Sequence, residues 1–178
     1  MYPPALCDHS GMRVAALALI VLASAAGTAG GATSSLPRCH TAGLHVYLLP
    51  GGAAAGSYAF DIAFQNRSGH ACFVYGYPGL GLQDARHRVM PSHVTWGSSI
   101  ARRDPGRHLV VLKPGRAAFA SVSASDVPFG DEHCRPSGWL EVMPPDERSF
   151  RLVRFRAPAC DHGHLTVTAL SATRTPRG

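Results

Sequence analysis

Three histidines have the types and spacing that could do chemistry. His162 and His164 stand two apart, so on a strand they would share a face, with Cys160 and Asp161 beside them. His133 directly precedes Cys134. If Cys134 bonded Cys160, His133 would come close to that pair, and three converging imidazoles could hold copper, zinc or nickel. The plainer alternative is a set of exposed histidines on loop and edge positions beside a disulfide. No carboxylate is obviously placed to orient a ligating imidazole, so neither a metal nor another cofactor is expected.

Other chemistry is thinly signalled. There is no G-x-S-x-G and no S-x-x-K, and the run Trp96-Gly97-Ser98-Ser99 is not a nucleophile elbow. Residues 51–57 (Gly-Gly-Ala-Ala-Ala-Gly-Ser) have glycine spacing like a phosphate loop. They lack the lysine, and they fall between two strand-like runs rather than before a helix. A dispersed-triad hydrolase is the third-ranked reading, and the chain is not expected to be an enzyme. Basic clusters stand at Arg86-His87-Arg88, at Arg102-Arg103 and through residues 151–156. They could meet an anionic cell-wall polymer or lipid. Aromatic residues are too sparsely interleaved among them to suggest nucleic acid.

The cysteines carry the clearest information. Cys39, Cys72, Cys134 and Cys160 are widely spaced, with no C-x-x-C pair of the kind a zinc site needs. Four cysteines allow three pairings. Joining neighbours, Cys39 with Cys72 and Cys134 with Cys160, would tie each end of the domain to its own sheet. Each such loop would stabilise the fold by roughly 3–4 kcal/mol in the chain-entropy model.

Disulfides need an oxidising compartment, and the N-terminus supplies a route to one. Residues 14–23 form an uncharged apolar run after Arg13. At about ten residues it is too short to span a bilayer, which takes roughly 20. Small residues follow, Ala23-Ser24-Ala25 and Gly27-Thr28-Ala29. Residues 1–32 therefore read as an export signal region, cleaved between about residues 25 and 32. Translation is expected to begin at Met12, because Pro3-Pro4, Cys7 and Asp8 make a poor leader. No transmembrane segment is expected in the mature chain, and the protein is expected to be secreted or held in the cell envelope.

About 145 residues then remain, enough for one domain. Residues 33–38 read as a loose linker, 39–172 as the domain and 173–178 as a tail. Lys113 is the only lysine among 17 basic residues, which points to a GC-rich genome as much as to chemistry. The net charge of +6 suits a soluble domain and permits an acidic partner.

The elements that must position these residues are short and β-like. Residues 44–49 end at Pro50-Gly51-Gly52. Residues 57–65 alternate, with Tyr58, Phe60, Ile62 and Phe64 on one side and Ala59, Asp61, Ala63 and Gln65 on the other, as a half-buried strand does. Further runs lie at 71–75, 80–83, 88–91, 109–112, 117–123, 139–143, 150–155 and 165–170. Asp84-Ala85 marks a hairpin, and residues 92–108 read as a crossing loop. In residues 150–156 apolar side chains fall on both parities, a conflict that a β-bulge would resolve. About nine short strands with polar turns between them predict an all-β fold.

The motif F-x-N-x-S-x-x-x-C occurs at Phe64, Asn66, Ser68 and Cys72. Gly76-Tyr77-Pro78-Gly79-Leu80 follows, then Leu112-Lys113-Pro114-Gly115-Arg116 and Val142-Met143-Pro144-Pro145. Cys160-Asp161-His162-Gly163-His164-Leu165 closes the series. In this order, with the four cysteines, the set resembles the DUF4232 family of actinobacterial exported proteins. The resemblance implies an immunoglobulin-like antiparallel β-sandwich of eight or nine strands, stapled by disulfides at Cys39, Cys72, Cys134 and Cys160. It implies no enzymatic activity and no catalytic residues. The resulting expectation is an extracytoplasmic binding domain whose partner is an envelope protein or anionic wall polymer. Its contact surface is expected on residues 76–82 and 92–108, with Tyr77, Trp96, Arg102 and Arg103. The second-ranked reading is a metal-binding protein using His133, His162 and His164.

Overall fold

The computed structural model describes residues 35–174. The expected export region 1–32, Met12, the start of the linker and the chain beyond 174 lie outside the described residues. Within the stretches expected to be loose, Pro37 accepts a hydrogen bond from the Phe73 amide at 2.9 Å, and Arg174 bonds Asp61 at 2.7 Å.

Thirteen strands make up the described chain: β1 (Leu44–Ala54), β2 (Ser57–Asn66), β3 (Cys72–Tyr75), β4 (Gly79–Gln83), β5 (Val89–Met90), β6 (His93–Trp96), β7 (Leu109–Leu112), β8 (Ala117–Ser125), β9 (Arg135–Pro136), β10 (Trp139–Met143), β11 (Arg151–Arg154), β12 (Pro158–Ala159) and β13 (His164–Val167). They form a five-stranded sheet, β1-β2-β8-β13-β6, and a four-stranded sheet, β11-β10-β4-β5. Two ribbons, β3-β7 and β9-β12, complete the set. The protein is therefore mostly β, in several sheets that do not close. No helix among the described residues is long and apolar enough to cross a membrane. One core cluster joins Ile62, Phe64, Val122 and Val167 of the large sheet to Leu82, Leu140 and Val142 of the second and to Val74, Val110 and Leu112 of the β3-β7 ribbon.

Two departures from the expected pattern bear on function. Residues 92–108, expected to be a crossing loop, contain β6. That strand pairs in parallel with β13, setting His93 opposite His164 and Trp96 opposite Val167. Its four residues alternate polar and apolar, but the run is short and only Val94 is partly buried, too weak a signal to mark it as a strand. The second departure is β2, which is buried on both faces: Ala59, Asp61 and Ala63 are as enclosed as Phe60, Ile62 and Phe64. The chain around Ser99 lies over the second face. Ser99 Oγ is 2.8 Å from Ser121 Oγ, and the Ile100 amide donates to Ser123 Oγ.

Pro50-Gly51-Gly52 does not end β1; it is a register shift within the edge strand, between Leu49 and Gly52. A Cβ on Gly51 would lie 1.7 Å from the Ala59 carbonyl oxygen, so only glycine permits this approach. In β11 no shift occurs. Its mixed parity arises because it is an edge strand with neither face fully covered, and only Phe155 beyond it is buried, against Phe60 at 4.9 Å.

Short-range side-chain and backbone bonds build the turns. Asn66 is fully buried. Its Oδ1 accepts from the Ser68 amide and hydroxyl at 2.9 and 2.6 Å, and its Nδ2 donates to the carbonyls of His70 and Leu112 at 2.8 and 2.9 Å. This Asx turn clamps the β2–β3 link to the β7–β8 turn. In that second turn Arg116 N bonds Lys113 O at 3.0 Å, with Gly115 at φ +77°. At Pro78-Gly79 the positive φ falls instead on Gly76, at +94°. Asp84 accepts from the amides of Arg86 and Arg88 and closes the β4–β5 hairpin. The disulfides join Cys39 to Cys72 and Cys134 to Cys160, so neighbours in sequence are paired.

Candidate interaction face

The expected contact residues separate into two groups. Tyr77, in the turn after β3, and Trp96, at the end of β6, stack with ring centroids 5.0 Å apart and planes 7° from parallel. Arg107 places its guanidinium carbon 5.1 Å from the Trp96 centroid and 5.9 Å from that of Tyr77. Trp96 remains 54% exposed, a large value for an indole held in one orientation. The stack is braced from behind. Tyr77 donates its phenol hydrogen to Asp104 Oδ2 at 2.5 Å, and Asp104 Oδ1 accepts from the Ala169 amide at 2.8 Å. The bond to Asp104, with some burial, raises the Tyr77 pKa above its ordinary value. The register of β6 on β13 positions Trp96, and Gly97 N bonds Val167 O at 3.0 Å just beyond it.

Arg102 does not join this group. It lies on the opposite account, as a bidentate partner of Asp61: Nε to Oδ1 and Nη2 to Oδ2, each at 2.9 Å. Arg174 adds a third bond to the same carboxylate. Burial alone would raise the Asp61 pKa, but the two guanidinium groups outweigh it and hold the carboxyl below the usual range. Arg103 is exposed and lines a shallow crevice with Pro105 and Phe119. The residue that sequence reasoning missed is Arg107. One positively charged side chain among several in residues 102–107 has no local mark that distinguishes it.

The stack adjoins a second feature through the short links Tyr75-Gly76-Tyr77 and Arg107-His108-Leu109. In the β3-β7 ribbon, Cys72, Val74, Val110 and Leu112 face the core. The alternate residues face outward: Tyr75, Leu109 and Val111 are 42%, 54% and 48% exposed, and Phe73 is partly covered by Arg38. The run Leu-Val-Val-Leu is apolar throughout, yet half of it faces solvent.

The histidines do not converge as the metal reading required. His162 sits in a 3-10 turn at φ +54°, off the strand that carries His164. Its amide and Nδ1 both reach Glu132 Oε2, at 2.8 and 3.0 Å. His133 shares a small cavity with His162, Glu132 and Arg135. His164 is engaged elsewhere, with Nδ1 3.2 Å from Asp161 and Nε2 2.8 Å from Thr95 Oγ1, and its ring tilts against His93. Glu132, Cys134 and Cys160 lie together, but both sulfurs are committed to the disulfide.

The basic clusters are partly committed in the same way. Arg88 bonds Asp84, Arg151 bonds the Thr41 carbonyl, and the Arg154 guanidinium carbon lies 4.2 Å from the centre of the Trp139 ring.

Such a chain is a mostly β domain with two disulfides, of the kind found where thiols are oxidised. It presents an aromatic face at Tyr77 and Trp96. It belongs to the DUF4232 family, a domain of unknown function, whose model matches residues 39–171. No curated protein and no solved structure matches it.

Proposed function

We propose that this protein is a secreted or envelope-held binding domain, an immunoglobulin-like sandwich that holds another envelope protein without cofactor or catalytic step. The observation that carries the reading is the Tyr77–Trp96–Arg107 stack. Tryptophan, tyrosine and arginine are the residue types that dominate binding energy at interfaces. Here Trp96 and Arg107 are exposed beside a half-buried Tyr77 whose hydroxyl is fixed by Asp104, so the stack loses little rotamer freedom on binding. The exposed Tyr75, Leu109 and Val111 extend this face with apolar area.

An anionic wall polymer is the weaker partner, because Arg88, Arg102 and Arg151 of the basic clusters already make side-chain hydrogen bonds within the chain. The test is capture from envelope fractions by wild-type protein, Trp96→Ala and Arg107→Ala. Capture that survives about 0.5 M salt and falls at least tenfold in both variants supports the reading. Capture unchanged by either variant overturns it. So does binding that follows purified wall polymer and disappears in salt.

A further inference from the structure

The β3-β7 ribbon shows how such a partner would be held. Phe73 directs both backbone groups away from β7: its amide donates to Pro37 O and its carbonyl accepts from Cys39 N, each at 2.9 Å. In an antiparallel pair, two opposed residues either exchange both hydrogen bonds or turn both away from each other. Phe73 opposes Val111 and Tyr75 opposes Leu109. Both are therefore pairs of the second kind, and Val111 and Leu109 turn their N–H and C=O groups to the outer edge of β7. Among the described residues no strand pairs with that edge. The side chains of the same two residues are the exposed ones.

Natural sheets usually blunt a bare apolar edge with charge, proline or a covering loop, because it is a template for another strand. Here charge stands only at the ends. Arg107 precedes β7, and Lys113 and Arg116 follow it, all exposed and none with a carboxylate partner among the described residues. A second copy lying antiparallel on this edge would set Arg107 against Lys113 of its mate, which is repulsive.

We propose that the outer edge of β7 receives an extended segment of a partner protein by strand addition, the segment having alternating apolar residues and a carboxylate at each end. From Arg107 to Lys113 is about 20 Å of extended chain, which suits a six- or seven-residue strand. Main-chain bonds to Leu109 and Val111 would supply affinity, Arg107 and Lys113 would select acidic flanks, and the neighbouring Trp96 face would take adjoining residues. The inference rests on the binding reading above and specifies its geometry.

The probe is a fluorescent synthetic peptide, Asp-Glu-Val-Thr-Val-Thr-Val-Glu-Asp, and its counterpart with lysine at the four acidic positions. The acidic peptide should bind at least tenfold more tightly and slow amide exchange at Leu109 and Val111. Val111→Pro removes an outward N–H while leaving the β3 ladder intact, since proline is tolerated on an edge with that orientation. It should weaken binding at least tenfold more than Val111→Ala. Equal effects of the two variants, or unchanged exchange at both amides of wild-type protein, overturn strand addition. The exchange measurement stands even if Val111→Pro folds poorly. A dimer in sedimentation that Val111→Pro abolishes would give the edge to a second copy and also overturn the proposal. If these results fail while Trp96→Ala still abolishes envelope capture, the binding reading survives and only strand addition is lost.

Discussion

Replacing Arg102 with alanine separates scaffold from contact surface. Asp61 is 4% exposed, in the middle of β2, and depends on Arg102 for two of its three charged hydrogen bonds. Breaking a buried pair by removing one partner typically costs about 3–5 kcal/mol. Arg174 stays, from a more exposed position (45% of its side chain), and retains part of that energy. A loss of roughly 2–3 kcal/mol is expected, since one charge-assisted bond survives. With a urea slope of about 2 kcal/mol/M, the midpoint should fall by roughly 1–1.5 M at pH 7, with disulfides intact. The pH dependence supplies a second check. A carboxyl held low in the folded state adds stability that is present above its unfolded value and lost as pH falls through its folded value. Without Arg102, burial is less opposed and Asp61 protonates at higher pH. The variant's deficit should therefore narrow between pH 7 and pH 3. The double variant Asp61→Ala/Arg102→Ala should be less unstable than the sum of the two single changes. A loss under about 1 kcal/mol, accompanied by lost capture of an envelope partner, would refute this assignment and return Arg102 to the contact surface.

Two other changes test the remaining supports. Asn66→Asp keeps the shape of the buried side chain but turns an oxygen toward the carbonyls of His70 and Leu112. It should cost about 2–4 kcal/mol at neutral pH. Because the new carboxyl is favoured when protonated, the penalty should grow as pH rises from about 4, read by urea unfolding at several pH values. Tyr77 should ionise above the ordinary phenol range in an ultraviolet titration, and Asp104→Asn should bring it down. Trp96 fluorescence should shift in the same variant, because the stack loses its brace.

The legible part of this protein was local. Sulfur positions and the absence of close cysteine pairs pointed to disulfides between neighbours, since loop length and spacing are visible along one chain. Asn66 with Ser68, Asp84 with Arg88, and Lys113-Pro114-Gly115 announced their turns, because each turn is built by residues within four positions of one another. The alternation of β2 was visible for the same reason. Tertiary structure alone decided which faces those strands present and where each charge is used. Strand β6 exists because β13 offers it an edge, and its own four-residue alternation is too short to announce it. The second face of β2 is buried because a segment about forty residues later covers it. Arg102 and Arg107 look alike in sequence. One meets a buried carboxylate about forty residues away along the chain, and the other a pair of aromatic rings, about thirty and about ten residues away. Hydrogen bonds, burial and exposed edges are properties of pairs of distant segments, so a linear pattern records the propensity of each segment but not the partner that determines its role.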